Sequence, residues 1–238
     1  IATLEPRHLA TMLDSMAGKP GATRNFLAAI RVLMAYSVSV GLRADDPSVG
    51  LKVSTKLRPG GLYTWTEADI AAFEASHAIG SRARLAFALL LYSAQRRTDV
   101  LQIGRQHIRD RMLHIRQSKT GKALSIPIHP ALRAVLDATP SDHLTLLVSR
   151  NGRPFHPDAF TRWFGKCCAE AGITSKATVH GLRKAAARRL AEAGCSASVI
   201  ASVTGHKSLR EVQRYVEAAD QMRLARQGIE AINGTRSD

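Results

Sequence analysis

The chain is poor in the features that mark exported, membrane-spanning or metal-dependent proteins. Only three cysteines occur, two of them the neighbours Cys167 and Cys168, and they form no C-x-x-C pair and no disulfide framework. A reducing cytoplasm suits them. The longest apolar run, residues 85–92, is far too short to span a bilayer, and the opening residues lack a charged start followed by a long apolar stretch, so neither anchoring nor export is expected. The nine histidines show no H-E-x-x-H spacing and sit beside no cysteine cluster, and no G-x-x-x-x-G-K-S/T loop is present. No cofactor and no metal are expected. Internal repeats and low-complexity tracts are missing too.

Acidic residues are also scarce. Lysine and arginine number 34 against 19 aspartates and glutamates, which gives a formal charge of +15 and a pI near 10.6. Such an excess concentrates polyanions at the surface and makes their binding salt-sensitive, so DNA or RNA is the expected partner. With 238 residues and 45% apolar content, the chain can bury a real core in one large domain or in a large one with a smaller companion.

Residues 1–51 read as helical: Leu9, Met12, Leu13 and Met16 keep helical spacing up to Lys19-Pro20-Gly21, and Phe26, Leu27, Ile30, Leu33, Met34 and Val38 form a second stripe closed by Gly41 and Asp46-Pro47. The chain opens without methionine inside what reads as a helical segment, so an N-terminal portion is expected to precede residue 1. Residues 52–62 are basic and turn-forming without periodicity, and read as a linker. A second domain is expected over 63–238.

Within it, Thr66 with Asp69 forms a capping-box pattern preceded by Trp65, which can pack on Ile70 as a hydrophobic staple, and another helix covers about 82–93. Leu113, Ile115 and Gln117 alternate with polar residues, Lys119-Thr120-Gly121-Lys122 turns the chain, and Leu124, Ile126 and Ile128 alternate again. That is a β-hairpin with Lys119 near its tip. Pro127 cannot donate a ladder hydrogen bond, which puts the returning strand at a sheet edge. From Thr178 onward the pattern is helical, with Gly194 and Gly205 as stops, Ser208 and Glu211 as a second capping pair, and 233–238 as a frayed tail. The expected fold class is mainly α with a small antiparallel sheet.

Six residues supply the groups needed to move a phosphoryl group: Arg96, Lys119, His180, Arg183, His206 and Tyr215. His180-Gly181-Leu182-Arg183 puts its histidine and arginine on one face of a helical turn. The order Ser93-Ala94-Gln95-Arg96-Arg97-Thr98-Asp99, the Lys119 hairpin, His180-Gly181-Leu182-Arg183, Gly205-His206 and then Tyr215 resembles the tyrosine recombinase, or phage integrase, family. The resemblance runs from residue 63 to about 220, with all six family positions filled. It implies a catalytic domain behind a helical core-DNA-binding domain.

By that resemblance Arg96 and Arg183 clamp the scissile phosphate, and Tyr215 attacks phosphorus to give a 3′-phosphotyrosyl link and a free 5′-hydroxyl. Lys119 protonates the departing oxygen, His180 assists proton removal or orients the phosphate, and His206 donates a hydrogen bond to a phosphate oxygen. Double-stranded DNA, a homotetramer on two duplexes, accessory DNA-bending proteins and a location at the bacterial nucleoid are implied with it. The family usually carries Thr-Gly where Ser93-Ala94 stand, a departure expected to alter the turn without removing a catalytic group.

The residues leave alternatives open. Arg97 adjoins Arg96, Lys122 lies across the turn from Lys119, and Tyr36, Tyr63 and Tyr92 are other phenols, of which Tyr92 reads as core. His206 could be an ordinary helix-terminal histidine. Asp99 is expected to hold Arg96 or a helix end. At the level of function, a type IB topoisomerase that relaxes supercoils and a catalytically idle DNA-binding relic are the competing readings.

Overall fold

A computed structural model describes residues 1, 3–53, 63–174 and 176–234, with the side chains of 233 and 234 excluded. The backbone divides into two compact units, residues 1–61 and 62–238. Most of the expected linker lies outside the described residues, as do the last four residues of the expected tail.

The first unit holds two helices, α1 (Pro6–Ser15) and α2 (Pro20–Ser39). Proline opens both, where its fixed φ suits a first turn and its missing N–H leaves no bond unmade. Pro20 therefore starts the second helix as well as ending the first. The first helix starts at Pro6, later than the sequence pattern suggests. The buried face of α2 is Thr23, Leu27, Met34 and Ser37, whereas Leu33 and Val38 of the expected stripe are exposed.

The second unit is mainly helical. It contains α3 (Glu67–Ser76), α4 (Arg82–Ser93), the single turn α5 (Arg97–Val100), a 3₁₀ turn at Arg105–His107, then β1 (Ile108–Arg109), β2 (Met112–Arg116) and β3 (Ala123–Pro127). There follow α6 (Pro130–Asp137), α7 (Pro157–Glu170), α8 (Val179–Glu192), α9 (Ala197–Thr204) and α10 (Leu209–Gly234). The sheet is antiparallel in the order β1-β2-β3, with Leu113 opposite Ile126 and Ile115 opposite Leu124. Pro127 lies on the edge strand β3, where no neighbour needs its missing donor. Asn233 and Gly234, expected as tail, continue α10.

Helix α4 is buried almost all round and forms the axis of the main core. Trp65, Phe73, Phe87 and Phe164 pack there, Phe73 stacking on Phe87 at 4.7 Å between ring centroids and Trp65 meeting Phe73 edge-on at 5.8 Å. The Thr66–Asp69 capping box forms as expected, while Trp65 just before it donates its indole N–H to the Thr178 carbonyl at 3.0 Å. That bond ties the entry of the domain to the start of α8. Replacing Trp65 by alanine would cost about 3–5 kcal/mol. A second cluster, Ala187, Ala191, Ile200, Ala201 and Val212, joins α8, α9 and α10, with Tyr215 packed against it. No helix among the described residues is long and apolar enough to cross a membrane.

Candidate active site

The turn after α4, helix α7 and the first turns of α8 enclose a cleft of about 340 Å³ lined by Gln95, Arg96, Arg97, Thr98, Thr161, His180 and Arg183. Each wall has a local cause. Helix α4 ends at Ala94, which adopts the left-handed conformation (φ 54°, ψ 26°) and turns the chain so that Arg96 caps the short α5. An L-residue pays roughly 1–2 kcal/mol there. The buried Gln95 side chain holds the turn by donating to the carbonyls of Ser93 (2.8 Å) and Val203 (2.9 Å).

The opposite wall is the first turn of α8. Thr178 caps it, its hydroxyl accepting from the Gly181 N–H at 3.2 Å, and His180 and Arg183 follow on one side of the helix. Gly181 is required by close approach, since a Cβ there would lie 2.6 Å from the Tyr63 carbonyl oxygen and 2.8 Å from Trp65 Cδ1. The positive dipole end of α8 thus meets the arginines at the same cleft.

Arg183 is 3% exposed and donates from Nη1 to the Ala94 carbonyl at 2.8 Å, while its Nη2 lies 3.4 Å from His206 Nε2. Burial, then the charge of Arg96, push its pKa down to about 10, with Asp99, Tyr215 and Glu211 acting against the shift. His206 follows Gly205, the left-handed cap of α9 (φ 73°). Its Nδ1 is 2.6 Å from the Thr204 hydroxyl, which itself donates to the Ile200 carbonyl at 2.7 Å. Since guanidinium can only donate, Nε2 accepts from Arg183 and Nδ1 carries the proton. Burial and then Arg183 push the His206 pKa down to about 4, and Arg96 and Arg214 add to the effect. His180 is lowered for the same reasons, burial first and then Arg183, Lys184 and Arg96. Neutral His206 therefore offers phosphate no Nε2–H unless it gains a proton.

Arg96 donates from Nη1 to Gln117 Oε1 at 3.0 Å, and Asp99 Oδ2 stands 4.0 Å from the same nitrogen. The other Asp99 oxygen accepts from the Ser118 N–H (2.8 Å) and hydroxyl (2.9 Å), so this buried carboxylate pins the hairpin beside Lys119. Lys119 is exposed in the turn between β2 and β3, with no hydrogen-bond or ion-pair partner among the described residues. Tyr215, in the second turn of α10, is half-buried against the second core. Its hydroxyl accepts from Arg214 Nη2 at 3.3 Å, and the Arg214 guanidinium lies 5.1 Å from its ring centre. The phenol is close enough to act electrostatically on Arg183, without a hydrogen bond to Arg96, His180 or Arg183.

Arg96, His180, Arg183 and His206 are thus brought together directly, while Lys119 and Tyr215 stand at the border. Among the alternatives, Lys122 stays exposed across the turn from Lys119, while three others are engaged elsewhere and one lies in the first unit. Arg97 bonds the Thr161 hydroxyl and lies 3.6 Å from Asp158; Tyr63 donates to Asp69 Oδ2 at 2.7 Å; Tyr92 stacks on His129 at 4.5 Å; and Tyr36 belongs to the first unit. Sequence reading assigned no role to Gln95, Gln117, Thr204 or Arg214; Gln117 showed only as an inward position of an alternating strand, and Arg214 only as the neighbour of Tyr215. Away from the cleft, His77, Cys167 and Glu170 bring possible metal-ligating atoms within 4.8 Å of one another, but His77 Nε2 faces the Cys167 carbonyl at 3.0 Å and burial pushes the Cys167 thiol up to about 11. That donor set suits a packed core better than an ion.

Comparison with known proteins agrees with this geometry. The model of the phage integrase family matches residues 66–222. The integrase of Escherichia phage HK022 is 25% identical over 230 residues, covering 90% of this chain and 64% of that protein, so the chain spans about two thirds of its relative's length. Among solved structures, a lambda integrase dimer bound to a COC′ core site superposes with a TM-score of 0.77 at 22% identity, covering 91% of this chain and 81% of the other. The Tn1549 transposon integrase in complex with circular intermediate DNA gives 0.74 at 13% identity, with 94% and 85% covered. A lambda integrase tetramer bound to a Holliday junction gives 0.75 at 21% identity, with 87% and 66% covered. At these identities the structural likeness establishes the fold.

Proposed function

The chain belongs to the phage integrase family, and from that membership we propose that it is a site-specific DNA recombinase that cuts and rejoins duplex DNA through a 3′-phosphotyrosine. The observation that carries the reading is the cleft itself: Arg96, His180 and Arg183 line it, and burial first, then the charge of Arg183, lowers the proton affinity of His180 and of neighbouring His206. A cleft lined by guanidinium groups suits the negative charge of a phosphodiester.

In this reading the Tyr215 phenol loses its proton, its oxygen bonds to phosphorus, and the bond from phosphorus to the 5′-oxygen breaks. Lys119 gives that oxygen a proton. Arg96 and Arg183 stabilise the charge that builds on the non-bridging oxygens, because two fixed guanidinium forks in a water-poor site need no reorganisation as it forms. His180 orients the phosphate or receives the phenolic proton. His206 completes the clamp once phosphate raises its proton affinity. Rejoining runs the same steps backward with a new 5′-hydroxyl, and the stored phosphotyrosyl bond removes any need for a nucleotide.

The same reading makes residues 1–51 a core-DNA-binding domain, 52–62 a linker and 63–238 the catalytic domain, working as a tetramer on DNA with accessory bending proteins, in the bacterial nucleoid. The exposed Met222, Leu224 and Ile229 on the far part of α10 support a surface for a neighbouring protomer.

The test is incubation with nicked duplexes tiled across the DNA that flanks the gene. A covalent adduct on denaturing gels that maps to Tyr215, together with recombinant products from paired sites, is expected. Relaxation of any plasmid without site preference would replace this reading by topoisomerase chemistry, and binding without any adduct would make the protein a relic.

A further inference from the structure

One buried amide meets three of the four segments that carry the site's basic groups, all but α8. Gln117 is 0% exposed, just past β2, and its side chain uses every hydrogen-bonding position it has. Oε1 accepts from Arg96 Nη1 at 3.0 Å and from the Thr120 hydroxyl at 2.8 Å. Nε2 donates to Gln95 Oε1 at 2.6 Å and to the Thr204 carbonyl at 2.9 Å. The orientation is fixed, because turning the amide over would set its NH₂ against guanidinium and its oxygen against two acceptors.

Each partner belongs to a different part of the site. Gln95 and Arg96 lie on the turn after α4, Thr120 sits next to Lys119, and Thr204 precedes Gly205 and His206. The fit is tight enough to dictate a neighbour: a Cβ on Gly205 would come 2.4 Å from Gln117 Nε2. A leucine of similar size would fill the volume equally well, yet would leave the Thr204 carbonyl and Gln95 oxygen buried without donors.

We infer that Gln117 is a positioning residue for strand cleavage: its amide fixes the Lys119 turn, through Thr120, at a set distance from Arg96 and the His206 turn. It touches no reacting atom. The inference rests on the recombinase reading, and it concerns proton delivery to the leaving oxygen above all, since Lys119 has no partner of its own to hold it.

A leaving group that needs no proton separates positioning from mere packing. Adduct formation is measured for the whole protein on the nicked flanking duplexes, and on the same duplexes with sulfur replacing the bridging 5′-oxygen, because a thiolate departs without an acid. Gln117→Met is expected to slow cleavage of the ordinary duplex by about tenfold to a hundredfold, the usual cost of a misplacement near 1 Å, with part of the loss restored by sulfur. Thr120→Val removes the bond to Gln117, with the longer contact from the Lys122 N–H at 3.4 Å, and leaves the core untouched, so it decides the matter even if Gln117→Met does not fold. Slower cleavage by Thr120→Val, restored on the sulfur duplex, is the expected result. An unchanged rate, or a loss that sulfur does not restore, overturns the inference. Failure of the wild-type protein to form an adduct on either duplex would instead overturn the recombinase reading itself.

Discussion

Arg183 donates to the carbonyl of Ala94 at 2.8 Å, joining a buried guanidinium on α8 to a left-handed turn 89 residues earlier. The bond uses Nη1 and leaves Nη2 toward His206, so one side chain both anchors the Arg96 turn and faces the cleft. Lysine cannot do both, because its ammonium is a single point of charge. Arg183→Lys is therefore expected to slow adduct formation by about a hundredfold or more, as loss of a preorganised donor does. Rates on nicked duplex within a fewfold of wild type would contradict the clamp.

The phenol tests the chemistry without disturbing the fold. Tyr215 packs its ring against the second core, and its hydroxyl meets only the exposed Arg214. Tyr215→Phe is expected to abolish the adduct while leaving DNA affinity intact and stability within about 0.5 kcal/mol, as for surface changes. Gel-shift titration and urea unfolding check both parts; a surviving adduct would move the nucleophile elsewhere.

Several of these features were legible in the sequence, for reasons that differ. Periodicity exposed the hairpin because Leu113, Ile115, Leu124 and Ile126 all face one core. Gly205 marked a helix stop because φ near 73° favours glycine. Ala94 stands where the family usually has glycine and takes the left-handed conformation as a buried alanine whose carbonyl accepts from Arg183. Gln117 was legible only as an inward position of an alternating strand, since its four partners lie up to 87 residues away and no local spacing encodes them. The exposed Leu33 and Val38 show the opposite failure, apolar spacing that the first unit leaves in solvent.

Gly205 is expected to tolerate no side chain. Alanine there would take the strained left-handed conformation and drive its methyl to 2.4 Å from Gln117 Nε2, into a network with no slack. Gly205→Ala should lower unfolding free energy by about 2 kcal/mol or more. Gly194 has the same sign of φ (82°) but open space around its Cβ position, so Gly194→Ala isolates the backbone cost. Equal losses for the two variants in urea would show that the packing against Gln117 contributes nothing.

His206 makes stability depend on pH in a direction the geometry fixes. Its pKa is pushed down to about 4 by burial and by Arg183, against about 6.5 in the unfolded chain. Between those values the unfolded state holds a proton that the folded state does not, so stability rises with pH and this contribution is complete above about 6.5 and lost as pH falls toward 4. The loss is of order 2 kcal/mol after allowing for residual solvent contact. His206→Gln keeps a neutral polar group and removes the titration. Wild type should therefore lose more stability than the variant between pH 7 and pH 4 in urea unfolding, and parallel curves would mean that the imidazole feels its burial and the Arg183 guanidinium, 3.4 Å away, far less than the geometry implies. A phosphate in the cleft acts in the opposite direction, because its negative charge favours imidazolium. DNA binding should then take up a proton near pH 6, read as a dependence of binding heat on the ionisation enthalpy of the buffer.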